Sequence, residues 1–308
     1  MGLTLFLLRR FARLLLTVLI ISTVVFLVLR VIPGDPADVI AGIDASASDV
    51  ASIRERLGSD GPLATQYFRW LWDLLNFDLG TSYMSGQPVV GLILERFPLT
   101  LTLALLGMTL SVLIAIPLGV LSAVHRWSPW DYLGMAISQI GMAIPSFWLG
   151  ILLLLVFSVT LRLFPIFGSG TFKHLVLPAV SLGLARAAVL LRLTRASMLD
   201  ELDREYVVTA RSKGLPETMV RYKHALKNAL FPIVTVAGIQ FGYMLGGSII
   251  IEQVFSLPGV GRLLLTAVNQ RDFPLIQGGV VFVAIAFSLI NFIVDLLYAA
   301  LNPKIRIS

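Results

Sequence analysis

Six long stretches with few or no charged side chains constrain the fold of this chain more than any other feature. A helix needs about 20 consecutive apolar residues to cross the hydrocarbon core of a bilayer. The stretches that meet or approach this length are residues 11–32, 99–124, 132–161, 175–191, 231–251 and 274–297. Because backbone polar groups in hydrocarbon must find partners within the segment, these stretches predict helices. The expected fold class is therefore an all-α integral membrane protein with six transmembrane helices.

The composition agrees with this prediction and excludes several functional classes. Hydrophobic residues make up 57% of the chain and charged residues only 14%, whereas roughly a quarter of the residues in a soluble domain are charged. The pI of about 9.8 is better explained by membrane topology than by nucleic-acid binding. The absence of cysteine excludes thiol catalysis and cysteine-based metal sites. The three histidines are not spaced as metal ligands, so no metal site is expected.

The distribution of Lys and Arg predicts the orientation of the chain. Arg9 and Arg10 precede the first apolar stretch, which is longer than the core of a signal peptide and lacks a small-x-small cleavage site. We therefore expect an uncleaved first span, with residues 1–32 forming the N-terminus and transmembrane helix 1. Placing both termini in the cytoplasm puts 14 of the 24 Lys and Arg residues on that side, as the positive-inside rule requires.

Residues 33–98 form the one sizeable solvated region, an extracytoplasmic loop that we expect to be partly helical. Ser48 is a plausible N-cap for a short helix ending near Gly58. A second helix is indicated by apolar residues that recur along one helix face, namely Leu63, Tyr67, Trp70, Leu71 and Leu74. The Tyr and Trp residues favour a helix that lies at the membrane interface or packs against the protein.

A polar segment, residues 192–230, interrupts the apolar core at residues 99–308 and carries eight Lys or Arg and five Asp or Glu. The sequence predicts a helix over residues 196–213, ended by Gly214, and a second helix with Pro216 and Glu217 in its first turn. The apolar face of the second helix is predicted to consist of Met219, Tyr222, Leu226 and Ala229. The segment is either a basic loop that sets topology and lies on anionic lipid, or a docking element for a cytoplasmic partner.

The same segment resembles the Glu-Ala-Ala loop of permeases from binding-protein-dependent ABC importers. The resemblance is to the branch that serves dipeptides, oligopeptides, nickel and glutathione. The matching residues are Glu205, Tyr206, Thr209, Ala210, Arg211, Lys213, Gly214, Leu215, His224, Ala225, Leu226, Asn228, Ala229, Leu230 and Pro232. His224 and Lys227 replace an apolar residue and a proline of the general pattern, as they do in the peptide branch.

Further blocks resemble the same family and extend the likeness over nearly the whole chain. They include residues 29–42 (LRVIPGDPADVIAG), 77–89 (FDLGTSYMSGQPV), 140–150 (IGMAIPSFWLG), 191–199 (LRLTRASML), 246–264 (GGSIIIEQVFSLPGVGRLL) and 294–306 (VDLLYAALNPKIR). Several long blocks in a fixed order are much more specific than one short motif.

The resemblance implies a subunit of a bacterial inner-membrane importer for dipeptides, oligopeptides or glutathione, with a permease fold of the type I importer kind. Its expected partners are a second permease, two ATPase subunits and an extracytoplasmic solute-binding protein. No G-x-x-x-x-G-K-S/T motif occurs in the chain, so ATP and Mg²⁺ are expected on the ATPase subunits and no cofactor here.

The resemblance also assigns roles to residues of the polar segment. A short helix around residues 209–220 is expected to seat in a cleft of the ATPase and to move the attached fourth and fifth spans. Ala210 and Gly214 would allow close approach of backbones, Arg211 and Lys213 would meet acidic residues of the partner, and Glu205 would meet a basic one. The expected coupling residues are Glu205, Thr209, Ala210, Arg211, Lys213, Gly214, Leu215 and His224.

Charges and a proline at membrane depth are further candidates. Arg186 lines the solute pathway, meets a substrate carboxylate, or pairs within the subunit or with the partner permease. Asp295 is expected in a structural pair or cap near the inner interface. Pro145, with Ser146, is expected at a kink beside the pathway. The glycines of span five, at positions 238, 242, 246 and 247, are expected to be close-packing positions.

Two other classes of protein compete with the importer permease. An ion-coupled secondary transporter would need no ATPase, and Arg186 with Asp295 could carry the coupling, but inverted repeats and paired broken helices are not evident. An intramembrane enzyme is a weaker alternative, because the sequence contains neither His-Glu-x-x-His nor Gly-x-Ser-x-Gly.

Overall fold

The structure, a computed structural model, describes residues 3–31, 37, 41, 46–57 and 61–301. These residues are overwhelmingly helical, and within them the one β-bridge pairs Thr81 with Pro88. The helices are α1 (Leu3–Val31), α2 (Ala47–Leu57), α3 (Leu63–Leu75), α4 (Val89–Val124), α5 (Pro129–Ala143), α6 (Ser146–Thr160), α7 (Lys173–Leu202), α8 (Glu205–Ser212), α9 (Glu217–Val254), α10 (Val260–Gln270) and α11 (Phe273–Leu301).

The predicted transmembrane helices are present. Among the described residues, five helices are long and apolar enough to cross a membrane, namely α1, α4, α7, α9 and α11. The bent pair α5 and α6 makes a sixth span if the pair is counted as one. Several helices run beyond the apolar stretches: α4 begins at Val89 rather than at residue 99, and α7 continues to Leu202 rather than ending near residue 191. Charged residues lie within both extensions, Glu95 and Arg96 in α4 and Arg192, Arg195 and Asp200 in α7, which is why the apolar stretches ended earlier than the helices.

The break between α5 and α6 is much sharper than a proline kink, since the two axes differ by 98°. Ile144 and Pro145 both leave the helical conformation, with ψ angles of 122° and 134°. A proline disfavours the helical region for the residue before it, which explains why the chain turns at this point. Helix α6 ends in a π-helical stretch, Leu154–Thr160.

The chain divides into two compact units. The first is built mainly from residues 100–257, and in it α7 packs against α5, α6 and α9. Ala187, Leu190 and Leu191 of α7 form a buried cluster with Ala115 of α4. The second unit comprises residues 11–99 and 258–288. Its core contains Val89, Ile93, Leu264, Ala267 and Leu275.

The short helix α2 begins two residues earlier than predicted, because its cap is Ser46 rather than Ser48. The Ser46 hydroxyl accepts a hydrogen bond from the Asp49 backbone N–H at 3.3 Å, and the Asp49 carboxylate accepts one from the Ser46 N–H at 3.0 Å. This reciprocal arrangement satisfies the free N–H groups at a helix start. The hydrogen bonds from Ser46 lower the pKa of Asp49. Gly58 lies outside the described residues.

Candidate coupling and pathway sites

The polar segment folds as two short helical pieces around a tight turn, and it differs from the prediction in its boundaries. The predicted helix over residues 196–213 is interrupted at Asp203 and Arg204, where α7 ends, and α8 begins at Glu205. Residues 209–220 therefore do not form one helix: they comprise the end of α8, the turn 213–216 and the start of α9. The predicted stop at Gly214 is correct to within one residue, since Lys213 is the C-cap of α8.

Gly214 is required by the backbone conformation of the turn. Its φ angle is +76°, the Gly214 N–H bonds to the Arg211 carbonyl at 2.9 Å, and the Leu215 N–H reaches the Ala210 carbonyl at 3.4 Å. This is the usual glycine-terminated end of a helix. A Cβ added at Gly214 would meet nothing within 4 Å, so within this chain the glycine supplies a conformation rather than clearance.

Ala210 packs inside the chain instead of lying on its surface. Val207 and Ala210 on α8 are buried with Val220 and Ala225 on α9, and Leu215 packs partly against the same cluster. The small side chain of Ala210 therefore allows α8 to approach α9 closely. The shared core thus packs α8 directly against the start of α9, on either side of the turn.

The predicted apolar face of the second helix is correct in its second half and wrong in its first. Ala229 is buried and Leu226 packs partly against the same cluster, whereas Met219 and Tyr222 are 38% and 60% exposed. Val220 and Ala225 are buried in their place. Residues Val220–Ala225 form a π-helical stretch, and the extra residue in such a turn shifts the register of the side chains that face inward. The exposed apolar side chains beside the turn are Tyr206, Val208, Met219 and Tyr222, which we call the coupling surface.

The charged residues of the turn pair with one another. Arg211 Nε donates to Glu217 Oε1 at 2.8 Å, and Arg221 Nε donates to Glu217 Oε2 at 3.1 Å. Both pairs are exposed, so they contribute little to the stability of the fold. Glu205, Thr209 and Lys213 are exposed around the turn.

Tyr206 connects the end of α7 to α9. Its hydroxyl donates to Glu201 Oε2 at 2.5 Å and approaches the His224 carbonyl at 3.4 Å. Burial and the bond to Glu201 raise the pKa of Tyr206. His224 thus takes part in this contact through its backbone carbonyl, and the role of its imidazole ring in coupling stays a prediction.

Arg186 lies in the middle of α7 and bonds to α9. Its Nη1 donates to Gln240 Oε1 at 3.1 Å, and a Cβ added at Gly247 would lie 3.6 Å from Nη2. Among the side chains that the structure describes, no carboxylate lies within ion-pair distance of this guanidinium. The side chain of Asp295 falls outside the described part of the chain.

Pro145 and Ser146 lie at the bend between α5 and α6. Pro145 is exposed and Ser146 is half-buried, and the Pro145 carbonyl accepts the Leu149 N–H at 3.1 Å. No hydrogen bond within the described ranges joins either residue to Arg186, and the assignment of these three residues to the solute pathway stays a prediction.

Several buried polar contacts escaped the sequence reasoning. Arg195 donates two hydrogen bonds to Asp131, and the fully buried Glu252 accepts one from Thr100 at 2.7 Å. Both Arg195 and Glu252 stand inside blocks that the sequence analysis quoted. A charged residue within a predominantly apolar helix is the signal that could have singled them out.

Known proteins provide an independent comparison. The family model described as "Binding-protein-dependent transport system inner membrane component" matches residues 115–307. A second model, for the N-terminal part of such membrane components, matches residues 3–104. Together the two models cover nearly the whole chain.

Individual relatives and solved structures agree with these matches. The chain is 45% identical over 303 residues to the glutathione transport system permease protein GsiC of Salmonella typhimurium strain LT2, which covers 98% of each chain. It is 44% identical to the protein of the same name from Escherichia coli K12, with the same coverage. An inward-facing structure of the MetNI methionine ABC transporter matches with a TM-score of 0.56 at 20% identity, covering 69% of this chain and 97% of that one. An amino acid ABC transporter matches with a TM-score of 0.53 at 18% identity, covering 70% and 94%.

Proposed function

Because the chain belongs to the family of binding-protein-dependent inner membrane components and is the permease subunit of an ABC importer, we propose that its solute is a short peptide of the glutathione kind. The observation that carries the proposal is the 45% identity, along 98% of both chains, to permeases named for glutathione transport. Membership of this family identifies the chain as an inner membrane protein and excludes the alternative of a secondary transporter.

The substrate is tested by uptake. Proteoliposomes holding the importer assembled around this chain, with its own binding protein and ATP, should accumulate labelled glutathione or dipeptides. Free amino acids serve as the matched control. Accumulation of amino acids but not peptides would reject the peptide assignment and leave the importer assignment intact.

The partners follow from the same premise. ATP hydrolysis, with Mg²⁺, belongs to two ATPase subunits, and this chain contributes the membrane path together with a second permease. Both termini and the coupling surface face the cytoplasm, in agreement with the excess of Lys and Arg in residues 192–230. Mass spectrometry of a mildly solubilised, tagged chain should recover a second six-span permease and a Walker-motif ATPase. A clean homo-oligomer would contradict this assembly.

The turn 213–216 transmits ATPase closure to the membrane helices. The coupling surface offers exposed apolar side chains on both sides of the turn, and the core shared by α8 and α9 joins the turn firmly to the cytoplasmic end of α9. The hydrogen bond from Tyr206 to Glu201 links α8 back to the end of α7. A displacement of the turn would therefore move the fourth and fifth spans together.

Three substitutions at Gly214 test this role. Gly214→Trp adds bulk on the open side of the turn, Gly214→Ala adds only the strain of a positive φ angle, and Gly214→Asn is the matched control because asparagine tolerates that conformation. We expect Gly214→Trp to uncouple ATP hydrolysis from transport, and Gly214→Asn to retain coupling. Normal stimulated transport by Gly214→Trp would exclude the turn from the ATPase contact.

Arg186 binds the carboxylate of the solute and neutralises its charge. A cation at membrane depth is costly unless it is paired, and the described part of the chain offers it a neutral amide, Gln240, rather than an anion. Gly247 faces the guanidinium from α9, because a Cβ added there would lie 3.6 Å from Arg186 Nη2, so the glycine leaves room beside the charged group. Peptides and glutathione bring a carboxylate that could occupy this position.

Amidated substrates test the role of Arg186. Arg186→Gln should slow uptake of a free-acid dipeptide much more than uptake of its C-terminal amide, and Arg186→Lys should retain part of the preference. Arg192→Gln, an exposed change on the same helix, is the matched control. Equal losses for both substrates would show that Arg186 has a structural role within or between the permeases.

A further inference from the structure

The helix α3 shows three different faces, and one of them is apolar and uncovered. Its inward face, Tyr67, Trp70 and Leu74, is partly buried. Its polar face consists of Gln66, Arg69, Asp73 and Asn76, which recur at helical spacing. The third face consists of Phe68, Trp72 and Leu75, which are 68%, 68% and 74% exposed, and Phe77 follows at 87%.

The inward face holds α3 against the last turns of α1, within one compact unit. The Tyr67 hydroxyl is hydrogen-bonded to Thr23 at 2.7 Å, and the ring of Phe26 lies 5.2 Å from that of Tyr67 and 6.1 Å from that of Trp70. Arg30 Nη2 donates to Gln66 at 3.3 Å. These contacts fix where α3 lies along the axis of α1.

The contacts place α3 at the depth of the membrane interface. Arg30 marks the headgroup level, because a charged side chain at a span end reaches toward the polar region. Thr23 lies seven residues before Arg30, which is about 10 Å deeper at 1.5 Å per residue. Interfacial helices bury their apolar faces about 5–10 Å into the boundary between headgroups and acyl chains.

Helix α1 is an apolar span that exposes large side chains along its length. Seven large apolar side chains along it are between 45% and 55% exposed, namely Leu15, Leu16, Leu19, Ile20, Val24, Leu27 and Val28. Because α3 packs against the last turns of this span, its uncovered apolar face lies near the end of a membrane-spanning helix. Tryptophan is also among the residues favoured at that level of a bilayer.

We propose that the face formed by Phe68, Trp72, Leu75 and Phe77 is a membrane-anchoring surface that lies in the lipid headgroup and acyl boundary at the C-terminal end of α1. The polar face then turns to water, and the inward face holds α1. This loop helix is thereby an anchor that fixes the depth of the first span, and its role does not depend on which solute is carried.

Spin labels at single cysteines test the proposal, since the chain contains no cysteine of its own. Phe68→Cys and Trp72→Cys probe the anchoring face, and Arg69→Cys and Asn76→Cys probe the polar face as matched controls. The full chain, with the subunits that co-purify with it, is placed in nanodiscs of phosphatidylethanolamine and phosphatidylglycerol. Collision with oxygen, which partitions into lipid, is compared with collision with a water-soluble nickel complex.

We expect the ratio of oxygen to nickel collisions to be several-fold higher at positions 68 and 72 than at 69 and 76. Equal nickel access at all four positions would overturn the proposal, because the face would then lie in water. Exclusion of both reagents at 68 and 72 would also overturn it, because a protein partner would cover the face.

A second measurement keeps the proposal testable if a cysteine variant misfolds. Brominated lipids should quench part of the tryptophan fluorescence of the unmodified chain, and Trp72→Phe, which keeps the face apolar, should remove the interfacial share of that quenching. An unchanged quenching profile in Trp72→Phe would contradict the anchoring role.

Discussion

Arg195 and Asp131 form a two-point ion pair that connects α7 to the first turn of α5. Arg195 Nε donates to Asp131 Oδ1 at 2.5 Å, and Nη2 donates to Oδ2 at 2.7 Å. The Ser122 hydroxyl of α4 and the Trp127 N–H complete the shell around the carboxylate, at 2.5 and 3.1 Å. Three helices of one unit therefore meet at a single buried carboxylate.

Breaking this pair should destabilise the unit strongly. Asp131→Ala leaves the guanidinium of Arg195 in a mostly buried site without its partner, and the loss should be about 3–5 kcal/mol. Thermal unfolding in detergent measures it. Arg192→Ala, an exposed change on the same helix, is the control. The double variant Asp131→Leu with Arg195→Met should recover most of the loss, and failure to recover would mean that the pair does more than neutralise two buried charges.

Two glycines of α9 should respond oppositely to the same substitution. A Cβ at Gly238 would overlap both methyl carbons of Val294, whereas one at Gly246 would meet nothing within 4 Å. Gly238→Ala should cost about 1–3 kcal/mol by overpacking, and Gly246→Ala should be neutral or stabilising in the isolated chain. Val294→Ala should rescue Gly238→Ala in part. Equal melting temperatures for the two alanine variants would refute this packing.

Asp272 should hold the loop before α4 in place. Its carboxylate accepts the Ser82 hydroxyl at 2.5 Å and the Tyr83 N–H at 3.1 Å, and it also approaches the Leu275 N–H at the start of α11. In Asp272→Ala we expect amide exchange at residues 82–86 to accelerate by about one to two orders of magnitude, because bonds to a charged acceptor contribute about 1.5–3 kcal/mol. The control is Asp78→Ala, which removes an exposed carboxylate of the same loop. Equal amide exchange in the two variants would contradict the role of Asp272 in holding the loop.

The coupling surface should be separable from the stability of the fold. Val208 and Tyr222 are 54% and 60% exposed, so the double variant Val208→Ser with Tyr222→Ser should change stability by no more than about 0.5 kcal/mol for each change. The amount of ATPase that co-purifies should nevertheless fall several-fold. Lys223→Ser, an exposed neighbour, is the control. Retention of the ATPase by the double variant would place the contact elsewhere.

Several features of the fold are decided by one local pattern and are therefore predictable from the sequence. Long apolar stretches predicted the spans, because no other secondary structure of a single segment satisfies its backbone in lipid. Gly214 predicted the end of α8, because a positive φ angle favours glycine whatever surrounds it. The break at Pro145 was predicted in position, but its 98° angle was not, because packing decides how far the chain turns once the helix has ended.

Local patterns did not determine the register of α9 or the pairing of distant residues. Met219 and Tyr222 were predicted on one apolar face with Leu226 and Ala229, but the π-helical stretch Val220–Ala225 separates the two pairs, and Met219 and Tyr222 are exposed. Arg211 pairs with Glu217 across the turn, and Ala210 is buried against α9. The sequence did not indicate either contact, and the expected contacts of these residues with the ATPase stay predictions. The cap of α2 was misplaced by two residues because both serines have the right chemistry.

The sequence by itself determined the class of protein, the position of the apolar spans and the family, because hydropathy and long motif blocks are properties of contiguous residues. Only the tertiary structure decided that Asp131 meets Arg195, that Arg186 meets Gln240 and that α3 lies beside Thr23 and Phe26. Each of these contacts joins residues far apart in the chain, and their pairing depends on how whole helices pack rather than on any local preference.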